Sequence, residues 1–157
     1  MIHIRYVTVG KIKTSWISEG IDHFDKLLSR YATLSEITVK EEKQAGDDKK
    51  EQVIKAESER LLATINPDSV TVVLDERGKV MTSPLLAKTI DDYAVSGRGK
   101  FDFVIGSAFG LSAEIIARAD LHLSLSRLTF PHELTRLLLA EQLYRAGNIL
   151  AGGRYHK

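Results

Sequence analysis

A chain of 157 residues with 43% apolar and 27% charged residues fits one domain with its own hydrophobic core, which excludes a disordered or fibrous chain. The 22 Lys and Arg against 21 Asp and Glu leave a net charge of +1, so any contact with nucleic acid must use local basic groups rather than a global field. The absence of cysteine excludes a disulfide framework, a Cys-ligated zinc or iron–sulfur centre and a thiol nucleophile, and fits a reducing cytosol.

No run approaches the roughly 18 apolar residues that a membrane span needs. The first ten residues alternate like a strand and lack the pattern of a signal peptide. The chain is therefore expected to be used whole, in the cytoplasm, with no membrane partner.

Ile2 to Val9, ending at Gly10, reads as a first strand. Ile17, Ile21, Phe24, Leu28 and Tyr31 recur on one face of a helix that Thr14 or Ser15 is placed to cap. Leu34, Ile37 and Val39 suggest a second strand over 33–40. Lys40 to Gly46 is a polar loop, and Asp47-Asp48 favours the dipole at the start of a helix running to about Ile65. The mixed charges from Lys40 to Arg60 read as a hydrated helix face.

Val70 to Leu74 is a β-branched run too short for a helix, so it reads as a central, parallel strand buried on both faces. Asp75 to Lys79 is expected to be a loop. Thr82 or Ser83 caps the next helix, with Pro84 in its first turn. Phe101 to Ile105 is a second buried strand, and Gly106 to Gly110 a tight loop. Ser112 caps a short helix, and the alternating Leu121, Leu123 and Leu125 form the last strand. Pro131 opens a long helix to about Leu150, followed by a short tail. Strands that alternate with helices define an α/β fold, mainly a parallel sheet flanked by helices, in a single domain over 1–157.

Four features carry chemical interest. Two buried strands end in glycine-bearing loops, at Leu74 and at Ile105, and ligands of open α/β sheets sit beyond such strand ends. Ordinary βα turns read the same way, and neither a dinucleotide fingerprint nor a P-loop is present. The segment from Leu121 to Glu133 alternates hydroxyls with leucines and enters a helix whose first amides suit an anion or an adenine edge. The final helix carries leucines around nearly its whole circumference, so a second face has to be buried, most simply against another copy of the chain. A central core helix is the other solution. In the tail, Arg136, Arg145, Arg154 and Lys157 outnumber Glu133 and Glu141. Cations clamp phosphates, Tyr155 can stack on a base, and a histidine such as His156 can move a proton. A solvated terminus explains the same residues. The remaining histidines show no metal-ligand spacing, and a serine triad has no nucleophile elbow.

Three motifs then occur in order. They are Phe103-Val104-Ile105-Gly106-Ser107-Ala108-Phe109-Gly110-Leu111-Ser112, Leu123 through His132, and Leu143-Tyr144-Arg145-Ala146 with Tyr155-His156-Lys157. Together they resemble the ribosomal RNA large subunit methyltransferase H family, small knotted methyltransferases of the SPOUT class, over the whole chain. The resemblance implies a SPOUT-type fold with a C-terminal trefoil knot and a homodimer. It implies transfer of a methyl group from S-adenosyl-L-methionine, leaving S-adenosyl-L-homocysteine, to N3 of a pseudouridine in 23S ribosomal RNA without a metal. The low net charge suggests the assembled ribosome as substrate.

By the same resemblance Leu74 and Gly106 border the cofactor, and Leu125, Ser126, Arg127, Leu128, Thr129 and Phe130 wrap it. His156 is the candidate for proton handling and Tyr155 for packing the base. Arg145 and Arg136 are candidates for holding phosphate or the developing anion, and His132 is a further candidate. The family reads Gly-Gly-Pro or similar where this chain has Gly106-Ser107-Ala108. A non-enzymatic RNA- or ribosome-binding module is the alternative function.

Overall fold

The structure, a computed structural model, describes residues 1–43 and 46–157. The first strand, β1 (Ile2–Val9), is followed by α1 (Ser15–Leu28) and β2 (Ala32–Val39). A 3-10 turn at Asp47–Lys49 then leads into α2 (Lys50–Thr64). The second half runs β3 (Val70–Val80), α3 (Ser83–Val95), β4 (Lys100–Ile105), α4 (Ala113–Arg118), β5 (Leu121–Ser124) and α5 (His132–Leu150). Part of the expected polar loop over 40–46 lies outside the described residues.

The five strands form one sheet in the order β2-β1-β4-β3-β5, and every pairing is parallel. β1, β3 and β4 are interior, and their segments rich in β-branched and aromatic residues fit burial on both faces. Side chains alternate between the two faces. Ile4, Tyr6, Val72, Leu74, Phe101 and Phe103 meet Leu86 and Ile90 of α3, Leu139 and Leu143 of α5 and Leu28 of α1. On the other face Val7, Val9, Val73 and Val104 meet Leu61 of α2, Ile65 and Ile115 of α4. Asp102 is buried on this second side, where it accepts from Arg5 Nε at 3.0 Å and from the Asn66 amide at 2.8 Å, so the buried charge is paired and hydrogen-bonded.

Two expectations are corrected. Asp75–Lys79 is not a loop outside the sheet, because β3 continues to Val80. Its pairing with β5 breaks after Leu74↔Leu123 and resumes at Lys79↔Leu123, an irregularity that absorbs the extra residues. Gly78 permits this, since a Cβ there would stand 2.7 Å from the Leu123 carbonyl carbon and 2.8 Å from that of His122. Nor is α2 simply hydrated, for Glu57 and Ser58 are each only 2% exposed.

Capping follows the sequence at α3, where Thr82 accepts from the Leu85 amide, and at α4, where Ser112 accepts from the Ile115 amide. At α1 neither Thr14 nor Ser15 does so. The amides of Lys13 and Thr14 instead donate to Oε1 of Glu133, at the start of α5, at 2.8 and 3.1 Å. α5 lies between α1 and α3. Leu137 sits over Gly20, and Tyr31 over Gly147, so neighbours within the chain cover part of the circumference that the sequence left for a second copy.

Candidate active site

The carboxyl ends of β3 and β4 open into a cleft of about 550 Å³. Leu74 to Arg77 form one wall and Ile105 to Leu111 the next. The segment after β5 closes a third side through Leu125, Ser126, Leu128, Thr129 and Phe130, and the first turn of α5 contributes His132 and Thr135. Lys50 and Ile54 of α2 complete the rim. This is the crevice beyond the strand ends that open α/β sheets use for ligands.

The walls are held mainly by local hydrogen bonds. The Gly110 amide donates to the Ser107 carbonyl at 3.0 Å, and Gly110 takes a φ of 96° that only glycine adopts without strain. No described non-glycine residue has a positive φ, so Ser107 and Ala108 fit the turn with ordinary backbone angles. Ser124 Oγ donates to the Ser126 carbonyl at 2.8 Å, and Ser126 Oγ accepts from the Leu128 amide at 3.0 Å. Thr129 Oγ1 donates to Glu76 Oε2 at 2.8 Å and Arg127 Nη1 to the Glu76 carbonyl at 2.7 Å, which staples this segment to the end of β3. Pro131 gives α5 no side-chain cap, so the first amides of that helix have no such partner.

Asp75 accepts from the Arg77 amide at 3.0 Å and from its guanidinium at 2.8 Å. Burial works upward on this carboxyl, yet the hydrogen bonds and positive charge of Arg77 outweigh it and hold Asp75 below its ordinary range. His122 Nε2 lies 3.2 Å from Asp75 Oδ2, close enough for an ionic contact but not aligned as a hydrogen bond. A cleft of this size, with apolar walls and a few fixed polar groups, suits a nucleoside-sized ligand. Its apolar residues match an adenine face, and its carboxylates and free amides match a ribose diol and an amino-acid carboxylate. Among the described residues no group of three or more His, Cys, Asp or Glu is placed to hold a metal ion.

Of the residues singled out in the sequence, Leu74, Gly106, Leu125, Ser126, Leu128, Thr129, Phe130 and His132 all line the cleft. Arg127 stands beside it with its guanidinium on Glu76. Arg136 is elsewhere. It is 8% exposed, donates to the Gly10 carbonyl at 2.9 Å and pairs with Glu36 in a second cavity of about 370 Å³ between α1 and the sheet edge. Burial, the largest influence, lowers its pKa against the pull of Glu36.

Arg145, Tyr155 and His156 gather at the far end of α5. The Arg145 guanidinium lies 4.6 Å from the centre of the Tyr155 ring and its Nη1 is 3.3 Å from His156 Nδ1. Glu141 Oε1 accepts from Arg145 Nε and from the Tyr155 hydroxyl, each at 3.0 Å. Burial and then Glu141 raise the tyrosine pKa. The Tyr155 amide donates to Asn148 Oδ1 at 3.0 Å, so the tail is folded back on its own helix. From His132 to Arg145 the helix rises roughly 20 Å, so this cluster does not reach the cleft of its own chain.

Sequence reasoning missed Asp75, Glu76 and Phe109 in the cleft. The hydroxyl-rich segment after β5 was a signal for Glu76, because Thr129 and Arg127 need an acceptor, but nothing local said which.

A fold of this kind is shared with methyltransferases of known structure. A methylase family protein from Haemophilus influenzae superposes with a TM-score of 0.53 at 15% identity, over 99% of this chain and 70% of that one. A Legionella pneumophila methyltransferase, solved with bound S-adenosylmethionine, superposes at 0.51 and 12% identity, over 92% of this chain and 66% of that one. These likenesses concern the fold alone.

The family model described as Predicted SPOUT methyltransferase matches residues 2–156, and the chain belongs to that family. It is 44% identical to the ribosomal RNA large subunit methyltransferase H of Shouchella clausii, over 99% of this chain and all of that protein. The enzymes of the same name from Carboxydothermus hydrogenoformans and Bacillus pumilus are 43% and 44% identical over the same shares.

Proposed function

We propose that this chain methylates N3 of a pseudouridine in 23S ribosomal RNA, using S-adenosylmethionine, as a cytoplasmic homodimer acting on the assembled ribosome. The full-length identity of 43–44% to proteins named ribosomal RNA large subunit methyltransferase H carries the reading. The trefoil knot implied by the resemblance, and the single domain over 1–157, belong to the same proposal.

The cofactor, when bound, supplies a methyl group on a positive sulfur, so transfer needs no metal. The chain's own residues bind, orient and move a proton. The walls at Leu74, Gly106 and Leu125 to Phe130 hold the cofactor through backbone groups, and His132 borders it. The pseudouridine imide must lose its proton, and His156 is the group that takes it. Tyr155 packs on the base, and Arg145 offsets the anion that develops. Arg136, engaged by the Gly10 carbonyl and Glu36, ties the start of α5 to β1 and β2, and its place in the second cavity supports a positioning role rather than contact with the reacting base. Because the His156 cluster and the cleft of one chain lie at opposite ends of α5, the working site combines the cleft of one protomer with the tail of its partner.

Titration calorimetry with S-adenosylmethionine, followed by mass mapping of ribosomal RNA from cells lacking the protein, tests the proposal. Binding, and loss of one methyl group from a pseudouridine that returns with the gene, are expected. No binding and an unchanged RNA mass would overturn it in favour of a non-enzymatic ribosome-binding module.

A further inference from the structure

The buried carboxylate of Glu57 has no counter-charge: among the described residues no Lys or Arg pairs with it. Its two oxygens are taken by other donors. Oε1 accepts from Ser107 Oγ at 2.6 Å and Oε2 from the Glu42 amide at 3.0 Å. Burying an ionisable group without a cation is costly, so its retention calls for a use.

The geometry supplies one. Ser107 is the second residue of the loop that forms the cleft wall after β4. The same hydroxyl oxygen accepts from the Phe109 amide at 3.3 Å, and Phe109 lines the cleft. The next residue of α2, Ser58, accepts from the Ser112 amide at 3.0 Å, at the other end of the loop. Two successive helical residues therefore hold both ends of the wall.

We infer that Glu57 and Ser107 are a positioning pair, in which the carboxylate–hydroxyl bond presets the loop backbone for S-adenosylmethionine. The inference rests on the function proposed above. A wall that is already ordered loses little freedom on binding, whereas a loose wall must be ordered by the ligand. The pair thus acts on cofactor affinity and leaves the transfer step alone.

The test uses the full chain, with calorimetry of S-adenosylmethionine binding and steady-state methylation of ribosomes. Ser107→Ala is expected to weaken cofactor binding about tenfold, the scale of a lost hydrogen bond to a charged group. The KM for the cofactor rises in proportion, and kcat at saturating cofactor stays within about twofold. Ser107→Thr, which keeps the hydroxyl, retains the parent affinity. Glu57→Gln adds little in the Ser107→Ala background, because the bond it would alter is already gone. Equal affinities of the parent and Ser107→Ala, or a fall in kcat at unchanged KM, would overturn the pair while the methyltransferase reading stands. A parent that does not bind the cofactor at all would overturn both.

Discussion

At its first turn α5 meets loops made of backbone, hydroxyls and glycine, and at its last turns it meets Arg145, Tyr155 and His156 stacked on one another. The first region has a shape and few free charges: Asp75 is engaged by Arg77, and the Glu76 carboxylate accepts from Thr129. The second gathers reactive groups at the surface, with His156 and Tyr155 exposed. One region is suited to holding a ligand and the other to acting on one. A single helix keeps them apart, so the proposed function requires binding and chemistry to meet where two copies of the chain meet.

His156→Ala probes the difference most strongly. It is expected to lower the methylation rate by at least about 100-fold, the usual contribution of a positioned proton acceptor, with cofactor affinity unchanged in calorimetry. Equal losses in both would erase the division of labour. A smaller effect is expected from Gly78→Ala at the β3–β5 irregularity, next to the cleft wall at Arg77. Its Cβ would meet the backbone of His122 and Leu123, so a loss of about 2 kcal/mol in urea unfolding is expected, together with weaker cofactor binding. Unchanged stability would mean that the β3–β5 irregularity yields easily.

The smallest effect concerns neither end of α5. Asp25 accepts from the Tyr6 hydroxyl at 2.9 Å. Burial, only partly offset by that bond, pushes its carboxyl up to about 6, and the nearby carboxylate of Glu36 adds to the rise. Burial also raises the Tyr6 pKa, so the hydroxyl remains the donor. Between the unfolded value near 4 and the folded value the native state binds the extra proton, so this group's contribution to stability falls as pH rises through that window. Asp25→Asn keeps an acceptor for Tyr6. Because water screens this part-exposed group, the expected stabilisation is only about 1 kcal/mol above pH ~6 and almost nothing below pH ~4, read from thermal unfolding across pH. Cofactor affinity stays the same.

What the sequence made legible follows from the range of the forces involved. The strands through Val70 to Leu74 and Phe101 to Ile105 announced themselves because burial on both faces demands a nearly continuous apolar run, broken only by Thr71 and by the paired Asp102. Leu74 and Gly106 followed as cleft residues because they end those strands. Arg136 gave no sign of its place, since its acceptors Glu36 and Gly10 are distant in sequence. The extension of β3 was hidden for a similar reason: Gly78 looks like a turn residue until the backbone of β5 is laid against it. Glu57 sat in a charged run and read as solvated, because the hydroxyl that engages it is 50 residues away.

A complementation experiment tests the shared site most directly. Gly106→Val, which fills the cofactor wall, and His156→Ala are each expected to be inactive as pure proteins. Co-expressed, they form mixed dimers in which the intact cleft of one protomer faces the intact tail of its partner. About a quarter of the parent's ribosome methylation should return if pairing is random. No recovery from dimers shown to be mixed would contradict the account and assign the cleft and the proton acceptor to the same chain.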